Sequence, residues 1–399
     1  MRILVLDGNQ NQAVASVRSL ARAGHTVLVG DSTSWCKAGW SNSCHGTFRY
    51  PAPQQETGAF VRRIAELAGA ESGTLVLPMT EATTLPISAH RDALFSVGTR
   101  LVLPGHADLL RAFDKGETTN LAASLGIAVP KTTLVGDRKQ AEEVARVIEY
   151  PVVLKPRASE ELSPDNRLRT TGRPRYARTA EEFRAAYKDM ARRTAAGLAQ
   201  EYVEGQGAGY FALMRHGELR AEFAHRRIRD IYPTGSGSAV RVSVAPQPEI
   251  RAAALAILQA LNWHGVAMVE FRCQEGKPPV FLEVNGRFWH SLPLACYAGV
   301  DFPALLASMA ERGDVEPVLH YRVGVRCRWF LGDFRHLGEV WRGAPVGFPG
   351  KYPGRLRTLA SVLTPVPGTV HDLFAWKDPL PELGDWLDFG RRALSRKTV

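Results

Sequence analysis

Two acids and an amide stand in two short apolar stretches whose spacing suits the holding of a hard cation. Glu283 and Asn285 interrupt the run "VFLEVN" (280–285) at spacing two, and side chains two apart on an extended chain share a face. A second strand-like run, "GVAMVEFRC" (265–273), precedes it across "QEGKPP", whose glycine and prolines read as a turn. If pairing is symmetric about Gly276 and Lys277, Glu270 falls opposite Glu283 and three oxygen donors converge. Directly opposed carboxylates repel unless a positive charge lies between them, and an all-oxygen set favours Mg²⁺ over Zn²⁺. The same residues also suit a solvated sheet edge, and a register slip of one would send Glu270 to the other face.

The elements that must position this hairpin read as α/β. The opening "MRILVLDG", the loop "DGNQNQ", the helical "AVASVRSLARAG" and "TVLVG" form a βαβ unit with Gly24 as the helix stop. Its turn lacks GxGxxG, and no GxxxxGK[ST] occurs in the chain, so neither dinucleotide nor P-loop chemistry is supported. Strand-like "TLVLP" and "RLVLPG" follow, with the helical "EATTLPISAHRDALF" between them, closing a first domain near Gly105. Next comes "EYPVVLKPRAS", a strand ending in Lys155, and then "QEYVEGQGAGYFALM", whose Gly205, Gly207 and Gly209 read as a linker or phosphate-facing turn.

The formal charge of +10 allows nucleic acid, an anionic surface or phosphorylated ligands as partners. Six arginines fall between Arg157 and Arg178 with few apolar residues, which predicts a mobile basic loop. Tyr176 is the one aromatic there, and no helix-turn-helix or finger spacing appears, which argues against nucleic acid. Five cysteines without a CxxC give neither a disulfide framework nor a zinc site. The best membrane candidate, "SLPLACYAGVDFPALLASMA", is broken by Asp301 and Pro303, and the N-terminus reads as a strand rather than a signal peptide, so a cytoplasmic protein is expected.

The order of Lys115, Lys155, the stretch Gln200 to Val203, Glu270, Glu283 and Asn285 resembles the ATP-grasp superfamily of carboxylate-amine ligases. The segments "FAHRRIR", "LNWHGVAMVEF" and "RFWHSLPLACYAGVDFP" bring it closest to the short carbamoyl-phosphate-synthase-like branch. The resemblance implies an N-terminal doubly wound pre-ATP-grasp domain (1–110) and an ATP-grasp fold of two α+β subdomains (111–315), with a small lid subdomain at about 131–204. A C-terminal extension (316–399) has no assigned role.

It further implies ATP and Mg²⁺ or Mn²⁺ as cofactors. Lys115 and Lys155 would hold phosphate oxygens, as suits compact ammonium groups. Gln200, Glu201, Tyr202, Val203 and Glu204 would form the adenine hinge, with backbone groups of Glu201 and Val203 reading the base. Glu204 stands in where many relatives carry a ribose-binding acid, this chain having Gly207 instead. Glu270, Glu283 and Asn285 would be the metal ligands, Arg241 and Arg287 the catalytic cations, and His225, Arg226 and Arg227 the substrate-side cluster. The metal motif departs from the family's in Gly286 for proline and His290 for glycine. The implied reaction joins a small carboxylate and an amine, such as amino acids, through an acylphosphate, releasing ADP and phosphate. The partners expected are those small molecules, with no nucleic acid, no stable membrane insertion, and a homodimer compatible with the reading. A nucleotide-binding regulator that has lost catalysis is the alternative.

Overall fold

The computed structural model describes residues 1–162, 168–194 and 196–395. The N-terminal region holds β1 (Arg2–Val5), β2 (Thr26–Asp31), β3 (Gly46–Arg49) and β4 (Leu75–Leu77) in a parallel sheet of order β3-β2-β1-β4. Helix Asn11–Arg22 follows β1 and buries Ala13, Val14, Val17 and Leu20 at helical spacing. It stops before Gly24, whose φ of +84 is readily open only to glycine. The stretch "RLVLPG" contributes one bridge, Arg100 with Leu75, rather than a full strand.

A small antiparallel sheet comes next, from β5 (Thr132–Val135), β6 (Val152–Pro156), the hairpin β7 (Glu160–Leu162) and β8 (Leu168–Thr170), β9 (Arg175–Ala177) and β10 (Gly197–Glu201). Its order is β5-β10-β6-β9, with β7 and β8 paired separately. The basic stretch is therefore not one loop. Arg157 pairs with Asp114, Arg173 donates to Tyr232 Oη at 2.8 Å, Arg175 pairs with Asp189, and Arg178 donates to Phe348 O. Arg167 lies outside the described residues.

The large sheet is built from β11 (Gln206–Arg215), β12 (Glu218–Arg229), β13 (Val240–Ser243), β14 (Gly265–Cys273), β15 (Val280–Asn285), β16 (Arg326–Arg328) and β17 (Val370–His371). Its order is β15-β14-β11-β12-β13-β16-β17, so the C-terminal region supplies two strands to the central sheet. One face packs Tyr210, Ala212, Val269 and Phe271 against helix Pro248–Ala260 and helix His106–Phe113. Towards one end the other face packs Phe211, Phe223 and Met268 in a core shared with helix Asn11–Arg22 and with helices Leu292–Ala298 and Phe302–Arg312. Those last two helices are the sequence's membrane candidate. They meet at 85°, and no single helix among the described residues is long and apolar enough to cross a membrane.

Candidate functional site

The β14–β15 hairpin brings Glu270 and Glu283 directly opposite one another. A bulge sets this register: next to the turn Phe271 pairs with Phe281, and the extra residue Leu282 shifts the ladder so that Glu283 meets Glu270. Without it, Leu282 would stand there and Glu283 would point into the core. Asn285 lies two residues on and donates its Nδ2 to Glu283 Oε1 at 3.3 Å, while its Oδ1 accepts from Arg287 at 3.0 Å. Arg287 also approaches Glu81, from the N-terminal region, at 3.8 Å.

Each acid faces a cation. Lys115 Nζ is 3.6 Å from Glu283, held at the start of helix Lys115–Ser124. Asp114 caps that helix, accepting from the amides of Gly116 and Glu117, a contact of about 1 kcal/mol. Lys155, on β6 of the small sheet, is 8% exposed. Burial pushes its ammonium down to about 8, with Glu283 and Glu270 opposing the shift and Lys115 adding to it. For Glu283, burial alone would raise the carboxyl, but Lys115, Lys155, the Asn285 amide and Arg287 together hold it below the ordinary range. Arg227, on β12, reaches Glu270 at 2.6 Å by lying over β11, where Gly207 leaves it room. A Cβ on Gly207 would come 3.0 Å from the guanidinium, so this glycine is a crossing point rather than a flexible turn.

The remaining predicted residues separate. His225, Arg226 and Arg227 alternate along β12. His225 is buried against Ser291 Oγ at 2.8 Å, and burial pushes its imidazole well below the usual value. Arg226 emerges on the opposite face, beside an 860 Å³ cavity whose lining includes neither Glu270 nor Glu283. Arg241 is fully buried, its guanidinium committed to Asp372 of the C-terminal region and to Ser238 O, so it does not reach the open part of the face. In the hinge, Gln200 is buried and donates to Thr132 Oγ1 at 2.9 Å. The amides of Glu201 and Tyr202 donate to Lys131 O and Pro151 O, which leaves Val203 the next amide along. Glu204 and Tyr202 line a 330 Å³ cavity with Arg227 and Arg272.

Gly286 has a packing reason: a Cβ there would come 2.5 Å from the Trp263 ring. The strand end is thus set by contact with Trp263 rather than by a proline's fixed φ. His290 lies tilted against Trp329, with ring centroids 4.5 Å apart, and burial pushes its imidazole down to about 3.

Two carboxylates and an amide oxygen fit a hard cation that shares its coordination with a ligand's phosphates. Mg²⁺ commonly takes only one or two protein carboxylates. No group of three His, Cys, Asp or Glu side chains among the described residues makes a closed protein cage.

Comparison with known proteins bears on the family and the fold. Residues 107–207 match the family model described as "ATP-grasp domain", and residues 194–331 match "ATP-grasp in the biosynthetic pathway with Ter operon". The chain belongs to the ATP-grasp superfamily. It is similar to a D-alanine–D-alanine ligase of Nitrosospira multiformis, 30% identical over 213 residues, which are 49% of this chain and 65% of that protein. The fold resembles the biotin carboxylase domain of Hydrogenobacter thermophilus 2-oxoglutarate carboxylase, with a TM-score of 0.65, 16% identity, and coverage of 82% and 73% of the two chains. It also resembles N5-carboxyaminoimidazole ribonucleotide synthetase from Thermus thermophilus (TM-score 0.58, 19% identity, 81% of each chain). A third likeness is to L-amino acid ligase from Bacillus licheniformis (TM-score 0.57, 15% identity, 79% and 75%).

Proposed function

We propose that the protein is an ATP-dependent carboxylate-amine ligase that works through an acylphosphate and releases ADP and phosphate. The observation carrying this reading is the convergence of Lys115, Lys155, Arg227 and Arg287 on Glu270, Glu283 and Asn285, from several separate elements. Arg227 also lies 3.7 Å from Asp230 and Arg287 3.8 Å from Glu81, and so dense a cluster of charge suits a phosphate-bearing ligand with its cation.

In this reading Lys115 and Lys155 hold phosphate oxygens as point charges, and Arg227 adds a fork across Gly207. Mg²⁺ held by Glu270, Glu283 and Asn285 supplies charge neutralisation at those oxygens. Arg287 orients the substrate carboxylate by two parallel hydrogen bonds. One carboxylate oxygen attacks the γ-phosphorus as the bond to ADP breaks; the amine nitrogen then attacks the acyl carbon of the acylphosphate, the carbon–oxygen bond to phosphate breaks, phosphate leaves and the amine proton passes to solvent. Strand β7 stands against helix Glu81–Ala89, where it would shield the acylphosphate from water. The D-alanine–D-alanine ligase relative supports an amino acid as one substrate. A screen of amino acids and small carboxylates for ATP-dependent phosphate release tests the reading. Release with at least one acid and amine pair is expected, and none with any pair would favour the regulator.

A further inference from the structure

The C-terminal region enters the hinge cavity, beyond the residues that either family model matches. Phe348 is 5% exposed and packs edge-on against Tyr176 of β9, with centroids 5.0 Å apart, and against Tyr202 of the hinge at 5.9 Å. Its backbone is tied to the small subdomain as well, because Arg178 donates to Phe348 O. The approach leaves no room on either side: a Cβ on Gly347 would come 2.4 Å from Tyr176 O, and one on Gly350 2.5 Å from Tyr202 Oη. Gly347 has a φ of +73, which fixes the turn that delivers Phe348.

Phe348, Gly350 and Lys351 then line the same 330 Å³ cavity as Tyr202, Arg227 and Arg272. One end of that cavity is the hinge. The other is Arg227, which bonds Glu270. Arg272 lines it as well, held between Gly205 O at 3.2 Å and Gly235 O at 3.1 Å. Two aromatic side chains and a fixed guanidinium around one cavity suit a flat heteroaromatic base.

Resting on the ATP reading, we propose that the segment from Phe348 to Lys351 is a wall of the nucleotide site, and that Phe348 is a base-contacting residue supplied by the C-terminal region. Calorimetry with ATP and with tripolyphosphate on the full chain tests this. Phe348→Ala should weaken ATP about tenfold and leave tripolyphosphate binding unchanged, since the base alone loses its wall. Val346→Ala, an exposed neighbour, should change neither. Equal ATP affinity in wild type and Phe348→Ala would overturn the wall while leaving the ATP reading intact, whereas a wild type that binds no ATP would overturn the ATP reading itself. Should Phe348→Ala fail to fold, photolabelling of the wild type with 8-azido-ATP decides. Label on the peptide containing Phe348 is expected, and label confined to the hinge peptide would contradict it.

Discussion

Arg227 and Arg241 pair directly across β12 and β13 and share one face of the same sheet, yet they sit in opposite circumstances. Arg241 is sealed: Asp372 meets its guanidinium, Cys327 and Asn11 complete the carboxylate's shell, and neither partner is exposed to solvent. Arg227 lines a cavity, and Glu270 beyond it faces a second acid with two lysines near. Both arginines are buried, although Glu270 is only half-buried while Asp372 is sealed. The difference lies in what surrounds them. A pair whose charges cancel within a closed shell holds elements together, here the C-terminal region against the sheet. A pair left among further charged groups beside open volume is poised to exchange partners with a ligand.

Substitutions should separate the two regions, beginning with the acid at the centre of the open one. Glu283→Gln removes a ligand charge from a face already built for polar groups, so turnover should fall about 1,000-fold. Thermal unfolding should stay within a few degrees of wild type; turnover near wild type at limiting Mg²⁺ would remove Glu283 from the metal site. In the sealed region, Arg241→Met leaves Asp372 charged and unpaired, a cost of about 3–5 kcal/mol. Denaturant melts should show most of that loss recovered when Asp372→Leu is added, because removing both charges removes the desolvation cost as well. Arg227→Met should divide the other way, with turnover down about 100-fold and a smaller loss of stability. If Arg227→Met and Arg241→Met lose activity and stability in the same proportion, the distinction between the two pairs fails.

Lys155 gives the smallest effect and a defined pH window. Its folded value near 8 lies below the ordinary 10.5, so between those values the unfolded chain binds more protons and wild-type stability rises with pH. Lys155→Met removes the buried charge and should stabilise the protein at pH 7 by on the order of 2 kcal/mol. That gain should shrink as pH rises from 8 towards 10.5. ATP affinity should behave oppositely: wild type weakens above pH 8 as the ammonium loses its proton, and Lys155→Met is weaker throughout and flat. A melting series and ATP titrations across pH 6.5–9.5 check both.

Much of the acidic hairpin was legible because alternation and turn symmetry are local rules. The symmetry about Gly276 and Lys277 led to Glu270 opposite Glu283, although the bulge at Leu282 that secures it leaves no mark in composition. Grouping His225, Arg226 and Arg227 as one cluster went against that same alternation, which already sends Arg226 to the other face. The commitment of Arg241 to Asp372 was not legible for a different reason: the partner is 131 positions away, and no local pattern records such a pairing. The C-terminal region was unreadable because β16 and β17 are three and two residues long, too short for a period to show. Phe348 sits in "PVGFPG", where prolines and glycines signal a turn but not what the turn touches.

In the proposed reaction, charge converging on Glu270 and Glu283 activates a carboxylate at the terminal phosphate of ATP. Chromatography of the nucleotide products formed with an active acid and amine pair checks it. ADP and phosphate are expected, in one-to-one ratio with the amide, and a hydroxamate when hydroxylamine replaces the amine. AMP with pyrophosphate would contradict it.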